Sequence, residues 1–173
     1  MIHHISIAAN NPLHVAQVLA ELFQGDVMPF PEHEGSYVAL TYDPHGTLIV
    51  VLPKGTELMP NLPDDSTQVV ADADTDADTD AGSQFVHNPY IPTYTATHAA
   101  ISVPVSEAQI REIAAREGWH VAHCNRQDFF EVIEFWLENQ VLIELLPPTI
   151  APKYTAFMQP ESLKQFAATM AAS

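Results

Sequence analysis

The chain has 173 residues, enough for one medium domain or for two small half-domains that share a core. Its 22 acidic side chains against 6 basic ones leave a formal charge of −16, a surface that repels phosphate backbones and anionic headgroups and so argues against nucleic-acid or membrane binding. One cysteine, Cys124, excludes an internal disulfide, and no window approaches the roughly 18 consecutive apolar residues of a membrane span.

The opening MIHHISIAANN has no basic stretch followed by an apolar core, which reads as no signal peptide and a cytoplasmic protein. Residues 2–8 read instead as a strand. Asn10-Asn11-Pro12 then supplies a helix start, because Asn caps well and Pro suits the first turn. A helix over 13–23 follows, with Val15, Val18, Leu19 and Leu22 at helical spacing and Gly25 past its end. Three strand-like pieces come next, at 27–30, 37–42 and 47–52, with Asp43-Pro44-His45-Gly46 as the turn between the last two.

The second half repeats this order. Residues 97–103 read as a strand and 106–117 as a helix capped by Ser106 and ended by Gly118. Strands follow at 119–124, 129–137 and 141–146. Shifted by 94 positions without gaps, His4 falls on His98, Ile7 on Ile101, Val38 on Val132, Ile49 on Ile143 and Leu52 on Leu146, so that LIVVLP meets LIELLP. One βαβββ module is therefore present twice. The expected fold is α+β: two modules forming a curved, barrel-like mixed sheet with helices outside.

The expected organisation is module 1 over 1–60, an acidic insert over 61–94, module 2 over 95–148 and a helical tail over 149–173, helical from Glu161 onward and packed outside a sheet or on a partner subunit. The insert centre, ADADTDADTDAGS, cannot bury a core and reads as an exposed linker. Its Asp spacing superficially suggests a calcium loop, but it lacks the Gly at the sixth position and the Glu at the twelfth.

The chemistry is expected at three residues. His4 and His98 occupy equivalent positions in the first strand of each module, and Glu144 lies in the last strand of the second, among Leu142, Ile143, Leu145 and Leu146. A carboxylate in an otherwise apolar strand needs a partner. If the modules pair through a pseudo-twofold, the three side chains converge, with Val50 at the fourth corner. Two imidazoles and one carboxylate suit a divalent ion (Fe, Mn, Co, Ni or Zn) with open positions. His3 points to the opposite face from His4. His120 and His123 read as surface residues, Cys124 as an inert buried thiol and Glu134 as a cavity-facing acid or base. Tyr42 and Trp136, at paired repeat positions, are the expected walls of a substrate pocket.

The opening IHHISIA, the segment YDPHGTLIVVLP and the strand VLIELLPP resemble the vicinal oxygen chelate superfamily, which includes glyoxalase I, extradiol dioxygenases, methylmalonyl-CoA epimerase, and fosfomycin-resistance and bleomycin-binding proteins. The resemblance spans roughly 1–60 and 95–148. It implies a divalent metal held at His4, His98 and Glu144, with a fourth ligand often present where Val50 stands. The two-His, one-Glu set matches extradiol dioxygenases, whereas glyoxalase I and the epimerase carry Glu or Gln at the Val50 position. The DPxG turn of module 1 gives way to Glu138-Asn139-Gln140 in module 2. The implied function is a metal-dependent lyase, isomerase or dioxygenase acting on a small oxygen-chelating substrate. The alternative is a metal-free small-molecule (drug) binding protein of the same fold. A third reading makes the acidic segment a contact surface for partners. A homodimer is expected by base rate.

Overall fold

The computed structural model describes residues 3–60, 83–126 and 128–171. The acidic run at 71–80 lies outside them. Strand β1 (His4–Ala9) leads into helix α1 (Pro12–Phe23), whose start is set by Asn11: its side chain accepts a hydrogen bond from His14 N at 3.3 Å. Val15, Ala16, Leu19, Leu22 and Phe23 face inward from α1. The helix ends on Gln24, which takes the left-handed conformation at φ 53°. Gly25 serves a different need, because a Cβ there would lie 1.7 Å from the carbonyl oxygen of Leu40.

Strands β2 (Val27–Pro29), β3 (Tyr37–Leu40) and β4 (Leu48–Pro53) complete the first sheet, ordered β1-β4-β3-β2, with β1 parallel to β4 and the other pairs antiparallel. The expected turn between β3 and β4 is present. The Asp43 carboxylate accepts from His45 N at 2.7 Å and Thr47 N at 3.2 Å, and the Thr47 side chain together with these backbone bonds holds its carboxyl well below the usual range.

After β4 the chain forms a hairpin that the sequence reading did not anticipate, β5 (Thr56–Pro60) with β6 (Ser83–His87). Module 2 then runs through β7 (Ala99–Ser102), α2 (Glu107–Glu117), β8 (Val121–Arg126), β9 (Phe130–Leu137) and β10 (Val141–Leu146), in sheet order β7-β10-β9-β8. A capping box closes the start of α2, with Ser106 and Gln109 bonding each other's backbone N–H. Two tail helices follow, α3 (Ala151–Phe157) and α4 (Pro160–Ala171). The start of α4 matches expectation. The separate helix α3 was not foreseen.

The duplication is geometric as well as sequential. Ser6 pairs with Val50 in module 1 and Ala100 with Glu144 in module 2, the same parallel register displaced by one repeat. The antiparallel pairs differ: Val50 faces Val38, but Glu144 faces Glu134 rather than Val132. The longer turn of module 1 produces this two-residue offset. Among the described residues the two sheets remain separate, so the architecture is two four-stranded mixed sheets with helices outside rather than a barrel.

One buried cluster joins the modules. It runs from Ile7, Leu19 and Ile49 in the first to Ile110, Ile133, Phe135 and Leu145 in the second. At its rim α1 and α2 are tied by His14 to Glu117 at 2.6 Å and by Arg116 to Glu21 at 2.6 Å. The departure from repeat at Glu138-Asn139-Gln140 is a cross-module clasp. The Glu138 carboxylate accepts from Asn10 N at 2.6 Å and Asn11 N at 2.8 Å, and Gln140 accepts from Lys54 Nζ.

Candidate functional site

Residues opposite each other in a ladder share a face, and alternate residues along a strand share it too. In module 2, Ile133, Phe135, Ile143 and Leu145 therefore point to the helices and the common core. Glu134 and Glu144 point the other way, together with Ala100 and Ala122. In module 1 the matching outer face carries Ser6, Val38 and Val50. The first and last strand of each module thus lie side by side, as the repeat suggested.

Each outer face is covered by a different added element. Over module 1, Phe85 of β6 packs against Val38, Val50 and Leu52, and its ring meets His33 edge-on at a centroid distance of 4.7 Å. Val50 is 4% exposed and belongs to this small apolar cluster. Over module 2, α3 lies on β9, with Tyr154 and Phe157 both 5.2 Å from Phe130 between ring centroids. The Phe129 and Phe166 rings extend the cluster to α4.

Beneath α3 sits a charged group. Arg126 Nη2 donates to Glu134 at 2.8 Å and reaches Glu144 at 3.4 Å. Those carboxylates are 20% and 14% exposed, a degree of burial at which an unpaired charge is costly. For Glu134 burial pushes the pKa up, but hydrogen bonds from Arg126, Cys124 and Trp136 outweigh it and hold the carboxyl below its ordinary value. Burial, with the Glu134 contact, raises the Cys124 thiol, which is half-buried rather than fully buried. Tyr154 is raised by burial and by the nearby charge of Glu144.

At the seam between the modules lies a half-open crevice of about 310 Å³. Its walls are mainly apolar, from Ile7, Ala8, Leu52, Leu58, Ile91 and Val141, with Lys54, Gln140 and four threonines also in the lining.

No model of a protein family matches the sequence, and no curated protein sequence matches it. Solved structures do. The genomically encoded fosfomycin resistance protein FosX from Listeria monocytogenes aligns with a TM-score of 0.50 at 14% identity, covering 88% of this chain and 97% of that one. The chain has a glyoxalase-like fold. A glyoxalase/bleomycin resistance protein/dioxygenase domain from Frankia sp. EAN1pec (TM-score 0.47, 12% identity, 84% of this chain, 94% of that one) is also similar. So is a lactoylglutathione lyase from Agrobacterium tumefaciens (TM-score 0.46, 8% identity, 86% and 93%).

This glyoxalase-like fold raises the question of a divalent ion at His4, His98 and Glu144, and the residues present do not fit one. Among the described residues no three His, Cys, Asp or Glu side chains are grouped so that they could hold a metal. His4 is exposed at the edge of β1, opposite Leu48. His98 is exposed just ahead of β7, with its Nδ1 bonded to the Ala96 carbonyl at 3.0 Å. Glu144 already has a cation in Arg126. The partner that its apolar neighbourhood demanded is a guanidinium.

The other expected site residues are also dispersed. Tyr42 lies beyond β3 in the turn, at φ 55° and 66% exposed, and donates to Asp26. Trp136 is inside β9, where it meets Tyr94 edge-on beside a shallow depression bordered by His120 and Asn139. Tyr42 lines neither this depression nor the seam crevice. Glu134 faces the outer side as expected, but there it holds Arg126. His3 bonds the His45 carbonyl at 3.1 Å, and His123 bridges Glu107 and Glu131 at 3.2 and 3.0 Å. The sequence reading missed Arg126 because it ended the strand at residue 124. Alternation continued two residues further would have placed Arg126 on the face of Glu134.

Proposed function

We propose that this protein binds a small molecule in the seam crevice of a glyoxalase-like fold and does so without a metal. The observation that carries this reading is the Arg126–Glu144 ion pair. The carboxylate that would anchor an ion already shares the Arg126 guanidinium with Glu134, and an ion there would have to compete with that guanidinium. The crevice, by contrast, offers a mainly apolar surface with polar side chains among its lining, the usual make-up of a small-ligand site. The Phe85 and Tyr154 contacts support the same reading, because each covers part of an outer face while the seam crevice stays accessible.

The experiment is elemental analysis of protein purified without chelator, followed by calorimetry with 1-octanol. Substoichiometric transition metal, no uptake on reconstitution and saturable octanol binding are expected. One full equivalent of Fe, Mn, Ni, Co or Zn that His98→Ala abolishes would overturn the reading. It would favour the second one, a metal-dependent lyase, isomerase or dioxygenase using His4, His98 and Glu144. That alternative draws support from the sequence repeat, in which His4 falls on His98 at a shift of 94 positions. We propose a homodimer as the assembly, to be checked by sedimentation.

A further inference from the structure

We infer that the crevice selects amphipathic monoanions, an apolar chain ending in a carboxylate, and that Lys54 is the residue that recognises the anionic end. The inference rests on the binding reading above and names its ligand class. Of the six basic residues, Arg111, Arg116, Arg126 and Lys153 are each ion-paired to a glutamate, and Lys164 is exposed on α4, away from the crevice lining. Lys54 is different. It lies at the β4–β5 turn, partly buried, on the wall of the crevice, and its ammonium donates to the neutral amide oxygen of Gln140. Among the described residues no carboxylate pairs with it.

In a chain of charge −16, a lysine on a mainly apolar cavity wall whose partner among the described residues is neutral is a charge open to a ligand. An ammonium has three donors and Gln140 accepts one, so donors remain for an oxyanion. Thr56, Thr93, Thr95 and Thr97 border the same crevice and add hydroxyl donors. The overall negative charge opposes anion approach at long range. At physiological salt that repulsion is screened beyond about 8 Å, whereas contact with a partly buried ammonium is screened much less. The volume of about 310 Å³ suits a short chain rather than a large ring system.

Octanoate and 1-octanol share a chain and differ in the headgroup charge, so titrating both into the intact protein isolates the role of Lys54. Octanoate is expected to bind about tenfold more tightly than octanol, the scale of one charge-assisted hydrogen bond. Lys54→Met should abolish the preference for octanoate over octanol, while Lys54→Arg should keep it. Equal affinity of the two ligands for the unaltered protein, or an octanoate preference that survives in Lys54→Met, overturns the anion inference while leaving crevice binding intact. Failure of both ligands to bind overturns the binding reading itself. The comparison on the unaltered chain stands even if Lys54→Met folds poorly.

Discussion

Arg126 and Glu144 are joined at 3.4 Å although the strands that carry them, β8 and β10, are separated by β9. The guanidinium spans the intervening strand because it also engages Glu134, which stands directly opposite Glu144 in the ladder. Two carboxylates facing each other across a strand pair repel. Arg126 lies over both and turns that repulsion into a three-membered network.

Removing this cation should therefore be felt. For Arg126→Ala we expect a loss of about 1–2 kcal/mol in unfolding free energy, less than the 3–5 of a fully buried pair because the arginine is 44% exposed. Urea denaturation at neutral pH measures it. Arg126→Lys should recover only part, since an ammonium lacks the planar fork that spans two acceptors. An unshifted Arg126→Ala midpoint would show that the network contributes nothing.

Glu138 links the modules by accepting the backbone N–H groups of Asn10 and Asn11 at the entrance to α1. Glu138→Ala should cost about 1 kcal/mol, the scale of a lost helix-capping interaction, and Glu138→Gln should cost less. Hydrogen exchange provides the specific readout. The amides of residues 10–14 should lose protection while those of α2 keep theirs; equal loss in both helices would mean a global effect.

Phe85 is the chief apolar contact of the β5–β6 hairpin with the outer face of module 1. Truncation in Phe85→Ala should cost about 1–3 kcal/mol, below the full cost of a core aromatic because the ring is only partly buried. Exchange of the amides of residues 85–87 should accelerate first. If they stay as protected as those of β4, the hairpin is held by something other than this ring.

Acid should destabilise the fold. The carboxyls of Glu21, Glu107, Glu117 and Glu134 all lie below their ordinary value, through contacts with Arg116, with Arg111 and His123, with Arg116 and His14, and with Arg126 and Cys124 respectively. A carboxyl whose pKa is lowered by folding contributes stability that is complete above its unfolded value, about 4.3 for Glu, and is lost as pH falls through its folded value. The thermal midpoint should hold down to about pH 4.5 and drop below it. In Glu117→Gln that acid limb should be shallower. A midpoint that is level down to pH 3 would exclude these pairs as a source of stability.

Much of the architecture is legible from local pattern. The two βαβββ modules, the Asn11 and Ser106 caps and the Asp43 turn follow from side-chain periodicity and from short-range hydrogen bonding, both of which act within a few residues. Strand β10 is read at its exact bounds from Val141 to Leu146, because an apolar run between turn signals leaves little choice. The elements that escape are those whose stability comes from outside themselves. Strand β6 is short and rests on Val50 and Leu52 through Phe85; α3 has seven residues, none of them buried, and rests on Phe130.

The sequence alone determined that Glu144, set among leucines and isoleucines, must have a partner, because desolvating a carboxylate is costly wherever the strand runs. Only the tertiary structure decided which partner. Choosing between two histidines and an arginine depends on strand order, on a two-residue register offset and on the reach of one guanidinium across β9. None of these distances is encoded in any single segment. They arise when the segments pack, and they place Arg126 where a metal was expected.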